Sequence, residues 1–210
     1  MQYWIIQTLN SLALGGLLFL LAAGFSLIFG LMRIANLTHG SLYMLGAYVG
    51  ISVLKYVPNL WLAAIIGGLV MALFGGLVER LILRALAGNA LGQVLVTLGI
   101  SFIIADLCLM VWGGDPIPVP TPPALQQPIL VGGVAFPTYR LVVLAIAVVT
   151  ALALYLLMDR TRIGAMIRAG VDDMQMARAV GIPVSRLFTT VFCLGAALAA
   201  AGGEIGRAHV

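Results

Sequence analysis

Charge is what this chain has least of. Asp, Glu, Lys and Arg make up 9% of its 210 residues, against about 25% in soluble domains. Lysine occurs once, at Lys55, and histidine twice. With 62% apolar residues and a mean hydropathy of +1.14, a soluble fold of this size has more apolar surface than it can hide, and a bilayer removes the need to hide it. The net charge of +4 is no nucleic-acid signal, because the basic residues lie scattered in connecting segments and form no patch.

Further absences narrow the function. The two cysteines, Cys108 and Cys193, fall inside apolar runs, so a disulfide framework is not expected and small buried hydrophobes are. Two histidines do not make a His-rich metal site. There is no Gly-x-x-x-x-Gly-Lys-Ser/Thr loop, Gly-x-Ser-x-Gly, His-Glu-x-x-His or Cys-x-x-Cys. The chain therefore carries no Walker-type nucleotide site and no recognisable catalytic centre, and it reads as no enzyme. If it works with ATP, another chain binds the nucleotide. The N-terminus Met1-Gln2-Tyr3-Trp4 has no basic n-region, and the first apolar run outlasts a signal peptide, so it reads as a retained span.

What is present is a series of apolar runs at 5–31, 38–55, 60–83, 93–112, 138–158 and 185–203. Most approach the length of about 20 residues that crosses a bilayer as a helix. The expected fold is an all-α, polytopic transmembrane bundle of about six spans. The second is short and rich in Gly and Tyr, which predicts a tilted or partly unwound helix. Orientation follows the Lys/Arg bias of the loops. The 113–137 loop has neither Lys nor Arg, whereas 159–186 carries Arg160, Arg162, Arg168, Arg178 and Arg186, and 79–92 carries Arg80 and Arg84. The basic segments belong in the cytoplasm and the Pro-rich loop outside, with Lys55 the one violation.

Small residues recur at Ala64, Gly68, Ala72 and Gly76, and again at Gly46 and Gly50. Such ridges allow close helix packing in lipid. Packing within the chain is the expectation, and an intersubunit seam is the alternative that spacing alone does not separate. Asp106 is the acid in mid-span. It is read as bonded to Ser101 or a neighbouring helix, or as lying near the outer interface; the competing reading is a proton relay. Pro116, Pro118, Pro120, Pro122, Pro123 and Pro128 predict extended, stiff backbone in the outer loop.

The densest polar stretch is Arg33-Ile-Ala-Asn36-Leu-Thr38-His39-Gly40-Ser-Leu-Tyr43-Met-Leu-Gly46-Ala-Tyr48. Polar side chains at membrane depth usually face a protein interior or a transport path. Asn36, His39 and Gly40 are the translocation-path candidates; the other reading is that Asn36 and His39 pin the turn by capping and a buried hydrogen bond. Tyr43 and Tyr48 read as packing. In the cytoplasmic segment Asp172 is expected to cap a helix of about two turns, with Asp173 at its N-terminus. Met176 and Val180 share one face, and Gly181 and Pro183 stop it. A helix so short needs a docking partner, either the chain's own inner surface or a groove on another protein.

Four stretches resemble the permease subunits of branched-chain amino-acid ABC importers, the LivH-type family. They are Arg33–Tyr48, Glu79-Arg80 with Arg84, Thr97-Leu-Gly99-Ile-Ser101, and residues 161–203. Thr38 stands where the family commonly has Ala, and Ala85 where a Pro is frequent. The resemblance covers residues 5–203 and implies an importer subunit for branched-chain amino acids. The implied partners are a second homologous permease, two cytoplasmic ATPases holding ATP-Mg, and an extracytoplasmic solute-binding protein, in a bacterial inner membrane. It also implies that Arg168–Pro183 is the element that docks in the ATPase, through Arg168, Asp172, Asp173, Met176, Ala177, Arg178, Gly181 and Pro183. Urea, amides or sugars are the alternative cargo, and a secondary carrier using Asp106 the alternative mechanism.

The expected organisation is one membrane domain over 1–203, with 113–137 external and 159–184 cytoplasmic. Residues 204–210, Glu-Ile-Gly-Arg-Ala-His-Val, are what short-read sequencing adapter encodes. The resemblance implies that the family continues with further spans. The chain is therefore expected to be cut short, with a foreign tail in which Glu204 and His209 carry no role.

Overall fold

The computed structural model describes residues 2–33, 36–57, 59–115, 117, 123–131 and 134–206. The helices are α1 (Gln2–Met32), α2 (His39–Tyr56), α3 (Leu60–Val78), α4 (Ala90–Trp112), α5 (Pro123–Gln126), α6 (Thr138–Arg160), α7 (Arg162–Asp172), α8 (Met174–Ala179) and α9 (Val184–Gly206). Five of them, α1, α3 with its extension to Leu86, α4, α6 and α9, are long and apolar enough to cross a membrane. The exception among the expected spans is α2, and its setting explains its composition. From Ser41 to Leu54 none of its residues is exposed, because α3, α4 and α9 enclose it. Little of its surface is left open, so Ser, Gly and Tyr are tolerated. It is a continuous α-helix from His39 to Tyr56, so of the tilted or partly unwound helix that its Gly content predicts, the unwinding does not occur.

The axis of the bundle is α9, which packs on α1, α2 and α3. Its buried face is Gly195, Ala196, Ala199, Ala200, Gly202 and Gly203. A Cβ on Gly24 of α1 would lie 2.6 Å from the Gly195 carbonyl, and one on Gly46 of α2 would lie 2.4 Å from Ala200 Cα. Close backbone approach of this kind is what holds helices together where lipid is as apolar as leucine. On α3 the ridge that makes these contacts is Ala63, Gly67, Met71 and Gly75. Spacing had pointed to the neighbouring row Ala64, Gly68, Ala72 and Gly76. Of that row only Gly76 is buried, and Gly68 has open space around it. Periodicity of four gives the ridge but not which of two adjacent rows faces inward. Gly46 and Gly50 pack within the chain, as expected.

Cross-element contacts sort the helix ends. At one end Arg33 bonds the Val171 carbonyl and Arg84 the Ser185 carbonyl. At the other Tyr139 bonds the Ile205 carbonyl, Arg140 the Asn10 side chain, and Trp112 the Ser52 hydroxyl. The first end gathers the arginines of 79–92 and 159–186. At the second, Pro128–Val131 and Val134–Pro137 pair as antiparallel strands β1 and β2, with Phe136 buried. Of the prolines expected in extended backbone, Pro128 lies in β1 and Pro123 opens the turn of α5; Pro116, Pro118, Pro120 and Pro122 lie outside the described residues. Tyr48 stacks on Trp112 with ring centroids 5.1 Å apart, and Tyr43 packs on Gly202. Both are packing residues. Residues 204–206 continue α9, and 207–210 lie outside the described residues.

Candidate functional site: a polar inner cavity and the elbow beneath it

The α1–α2 connection is anchored on α4. Thr38 donates its hydroxyl to the Thr97 carbonyl at 2.8 Å, and the Leu37 amide donates to Thr97 Oγ1 at 3.3 Å. Ser41 and Ser101 pair at 2.6 Å, so Ser101 bonds α2 and not Asp106. Asn36 is 3% exposed, and its Oδ1 takes the Thr38 amide at 3.1 Å. Among the described residues its Nδ2 has no partner, nor has Oε1 of Gln93. Asn36, Gln93 and Thr97 line one small cavity with Ile28, Met32, Leu83 and Phe192. An orphan donor and an orphan acceptor on one cavity of about 10 Å³ leave room for a single bridging water.

The three path candidates part company here. Asn36 lines this cavity. The His39 ring is buried against α1, with Nε2 2.9 Å from the Leu21 carbonyl and its ring edge-on to Phe25. Gly40 is exposed, with nothing near a would-be Cβ. Residue identity had not singled out Gln93, though a signal was present. Gln93, Thr97 and Ser101 recur every four residues on α4, a spacing that places them on one face.

Below this cavity lies a larger one of about 340 Å³, lined by Met32, Glu79, Leu83, Arg84, Ala87, Gly88, Gln93, Met174, Arg178, Ser185 and Phe188. The two share Met32, Leu83 and Gln93. Its shape follows from how α3 ends. Residues Glu79–Leu83 form a π-helical turn, a widening of the kind often found at functional sites, and Arg84–Leu86 a tighter 3-10 turn. That is where Ala85 replaces the Pro frequent in the resembling family. Glu79, 1% exposed, accepts from Arg84 at 3.2 Å and from the Thr189 hydroxyl at 2.7 Å, both through Oε2. A buried carboxylate is tolerated only when paired in this way.

The elbow is built from α7 and α8. The cap of α8 is Asp173, whose Oδ1 accepts from the Gln175 and Met176 amides, each at 2.9 Å. Asp172, expected to be the cap, is the last residue of α7. The chain bends between the two aspartates, so the second takes the extended conformation a cap needs. Gly181, at φ +87°, ends α8. Its amide bonds the Arg178 carbonyl and the Ile182 amide the Ala177 carbonyl, the paired bonds of a Schellman stop. Pro183 follows, and its carbonyl opens α9 by accepting from Arg186 and Leu187.

Ala177 is buried, while Met176 and Val180 are 60% and 69% exposed. Arg168 turns away from α8 to the Met158 carbonyl and to Asp159, 3.5 Å off. Arg33, at φ +53°, is the non-glycine with positive φ among the described residues. Its guanidinium meets the Val171 carbonyl, in the last turn of α7, at 2.7 Å. That bond satisfies a helix-terminal acceptor and ties the start of the Asn36 segment to the elbow.

Asp106 is exposed on α4, among exposed Phe102, Ile103 and Leu107, and does not reach the polar cavity. Among the described residues no three His, Cys, Asp or Glu side chains gather as metal ligands.

The family profile described as branched-chain amino acid transport system, permease component, matches residues 7–205. The high-affinity branched-chain amino acid transport system permease protein BraD of Pseudomonas aeruginosa is 26% identical over 213 residues, spanning 94% of this chain and 69% of that protein. The permease proteins LivH of Salmonella typhimurium and Escherichia coli are likewise 26% identical, over 218 residues, 97% of this chain and 70% of theirs. No solved structure matches the chain. With apolar helices fit to cross a bilayer several times and a profile match over nearly its whole length, this multi-pass membrane protein belongs to the family of branched-chain amino acid transport system permease components.

Proposed function

We propose that this chain is the translocation subunit of an ATP-driven, binding-protein-dependent importer for branched-chain amino acids in a bacterial inner membrane. Residues 1–203 form its membrane domain, the 113–137 loop lies outside, and the 159–184 elbow lies in the cytoplasm. Its partners are a second homologous permease, two ATPases that hold ATP-Mg, and an extracytoplasmic binding protein.

The observation that carries this reading is the elbow. A helix of six residues, Met174–Ala179, is too short to persist in water by itself. Yet this one is capped at both ends and buries only Ala177. Its exposed Met176 and Val180 make an apolar ridge shaped for a groove on another protein. Arg33 and the α7–α9 packing then connect that ridge to the segment bearing Asn36. Co-purification of the intact gene product tests the partners: an ATPase and an amino-acid-binding protein should accompany it.

The secondary-carrier reading puts an essential proton on Asp106. An exposed carboxylate remote from the polar cavity is poorly placed for that. Asp106→Asn should therefore leave uptake within about twofold of the unsubstituted importer, whereas a lost relay would abolish it. Uptake assayed at a clamped ion gradient, with and without ATP, separates the two.

A further inference from the structure

The larger inner cavity carries an unmatched set of charges. Glu79 uses Oε2 for Arg84 and Thr189, and its Oε1 is buried without a partner among the described residues. A carboxylate oxygen left so is costly unless a donor reaches it. Among the described residues the contact of the Arg178 guanidinium is the Met174 sulfur, 3.8 Å away; the residue is exposed at the cavity wall and has no carboxylate partner there. Arg84, 38% exposed, is only partly engaged by Glu79. Between these groups the wall is apolar: Met32, Leu83, Met174 and Phe188. The volume, about 340 Å³, falls in the range of about 300–1,000 Å³ typical of small-molecule sites.

We propose that this cavity binds a free α-amino acid with an aliphatic side chain, its ammonium on Glu79, its carboxylate on Arg178 and Arg84, and its side chain against Met32, Leu83 and Phe188. The inference rests on the importer reading above and adds a site to it: the last stop of the cargo before release on the Arg-rich side. Charge chooses among ligand classes. A plain carboxylate leaves Glu79 Oε1 unmet. An amine without a carboxylate meets two guanidiniums. A sugar or urea offers no charge to Arg178, which has no carboxylate partner among the described residues, while Glu79 and Arg84 stay paired with each other. A zwitterion answers all three, and the shared wall of Met32, Leu83 and Gln93 places the site directly below Asn36. Because Met174 and Arg178 belong to α8, occupancy joins the membrane body to the elbow.

The test uses the assembled importer in nanodiscs, with Cys108→Ala and Cys193→Ala removing the native thiols and Ser185→Cys placing one in the cavity. The rate of maleimide labelling is measured with millimolar L-leucine, leucinol or 4-methylpentanoate. L-leucine should slow labelling about fivefold, as expected of a site about four-fifths occupied, and the other two by less than about twofold. Met174→Cys is the second probe if Ser185→Cys fails to assemble. Glu79→Gln should weaken the leucine protection and leave any effect of 4-methylpentanoate unchanged. Absence of leucine protection in a complex that still imports leucine overturns the site and leaves the importer reading standing. Equal protection by 4-methylpentanoate makes it an anion site and overturns the proposal too. Failure of the assembled complex to import leucine overturns the importer reading, and the site with it.

Discussion

Gly181→Asp should leave the chain in the membrane at near-normal abundance and cut ATP-driven uptake about tenfold or more, because even a modest loss of fit at a docking helix is worth over 1.4 kcal/mol. Gly181 holds φ +87°, a region that costs a side-chain-bearing residue about 1–2 kcal/mol. Its amide and that of Ile182 close the end of α8, so a substitution there frays the helix where Met176 and Val180 are presented. The change also puts a negative charge on the docking surface. The membrane helices are untouched, since nothing lies within 4 Å of a Cβ at this position. The measurement is substrate-stimulated ATP hydrolysis beside uptake in the same vesicles. Loss of stimulation with retained abundance is the expected outcome. Normal stimulation and uptake would remove α8 from the coupling route.

The second large effect separates packing from assembly. Gly46→Leu should collapse the amount of folded chain, because its Cβ would lie 2.4 Å from Ala200 Cα and 2.6 Å from Ala200 Cβ. Neither backbone can yield without breaking the α2–α9 seam, so the cost is about 3 kcal/mol or more. Gly68→Leu on α3 is the contrast. It points into open space and should leave the folded amount unchanged. Membrane abundance and detergent melting of the two variants check this. Equal loss in both would mean that the inward row of α3 is the other one. A Gly68→Leu chain that folds but no longer joins the complex would make that row an intersubunit seam.

These contrasts mark what the sequence could tell. The spans were legible to within a few residues at each end, because apolar runs bounded by Asn59, Asn89 and the arginines leave little freedom; Asn59 and Asn89 cap α3 and α4. The stop of α8 was legible too, since Gly followed by Pro two residues on has few other uses. The cap was misplaced by one residue because Asp172 and Asp173 are equivalent until the bend between α7 and α8 is known. The inward row of α3 depends on where α9 arrives, more than a hundred positions later. The hairpin of the outer loop was masked by prolines, which favour extended backbone whether or not strands pair. The inner cavity was the least legible. Glu79 and Thr189 meet across 110 positions, and Arg178 reaches its wall from the elbow, so no local pattern announces the site. Gln93 was the exception, readable from the four-residue recurrence it shares with Thr97 and Ser101.

The central claim is that this chain moves solute only when a nucleotide-hydrolysing partner moves it. Reconstitution of the intact gene product in liposomes tests it most directly, with radiolabelled leucine outside and ATP within. Without the ATPases, uptake should stay at the level of empty vesicles; with the ATPases, second permease and binding protein added, it should rise and stop when ATP is withdrawn. Leucine accumulation by the chain alone, with no partner present, would contradict the account.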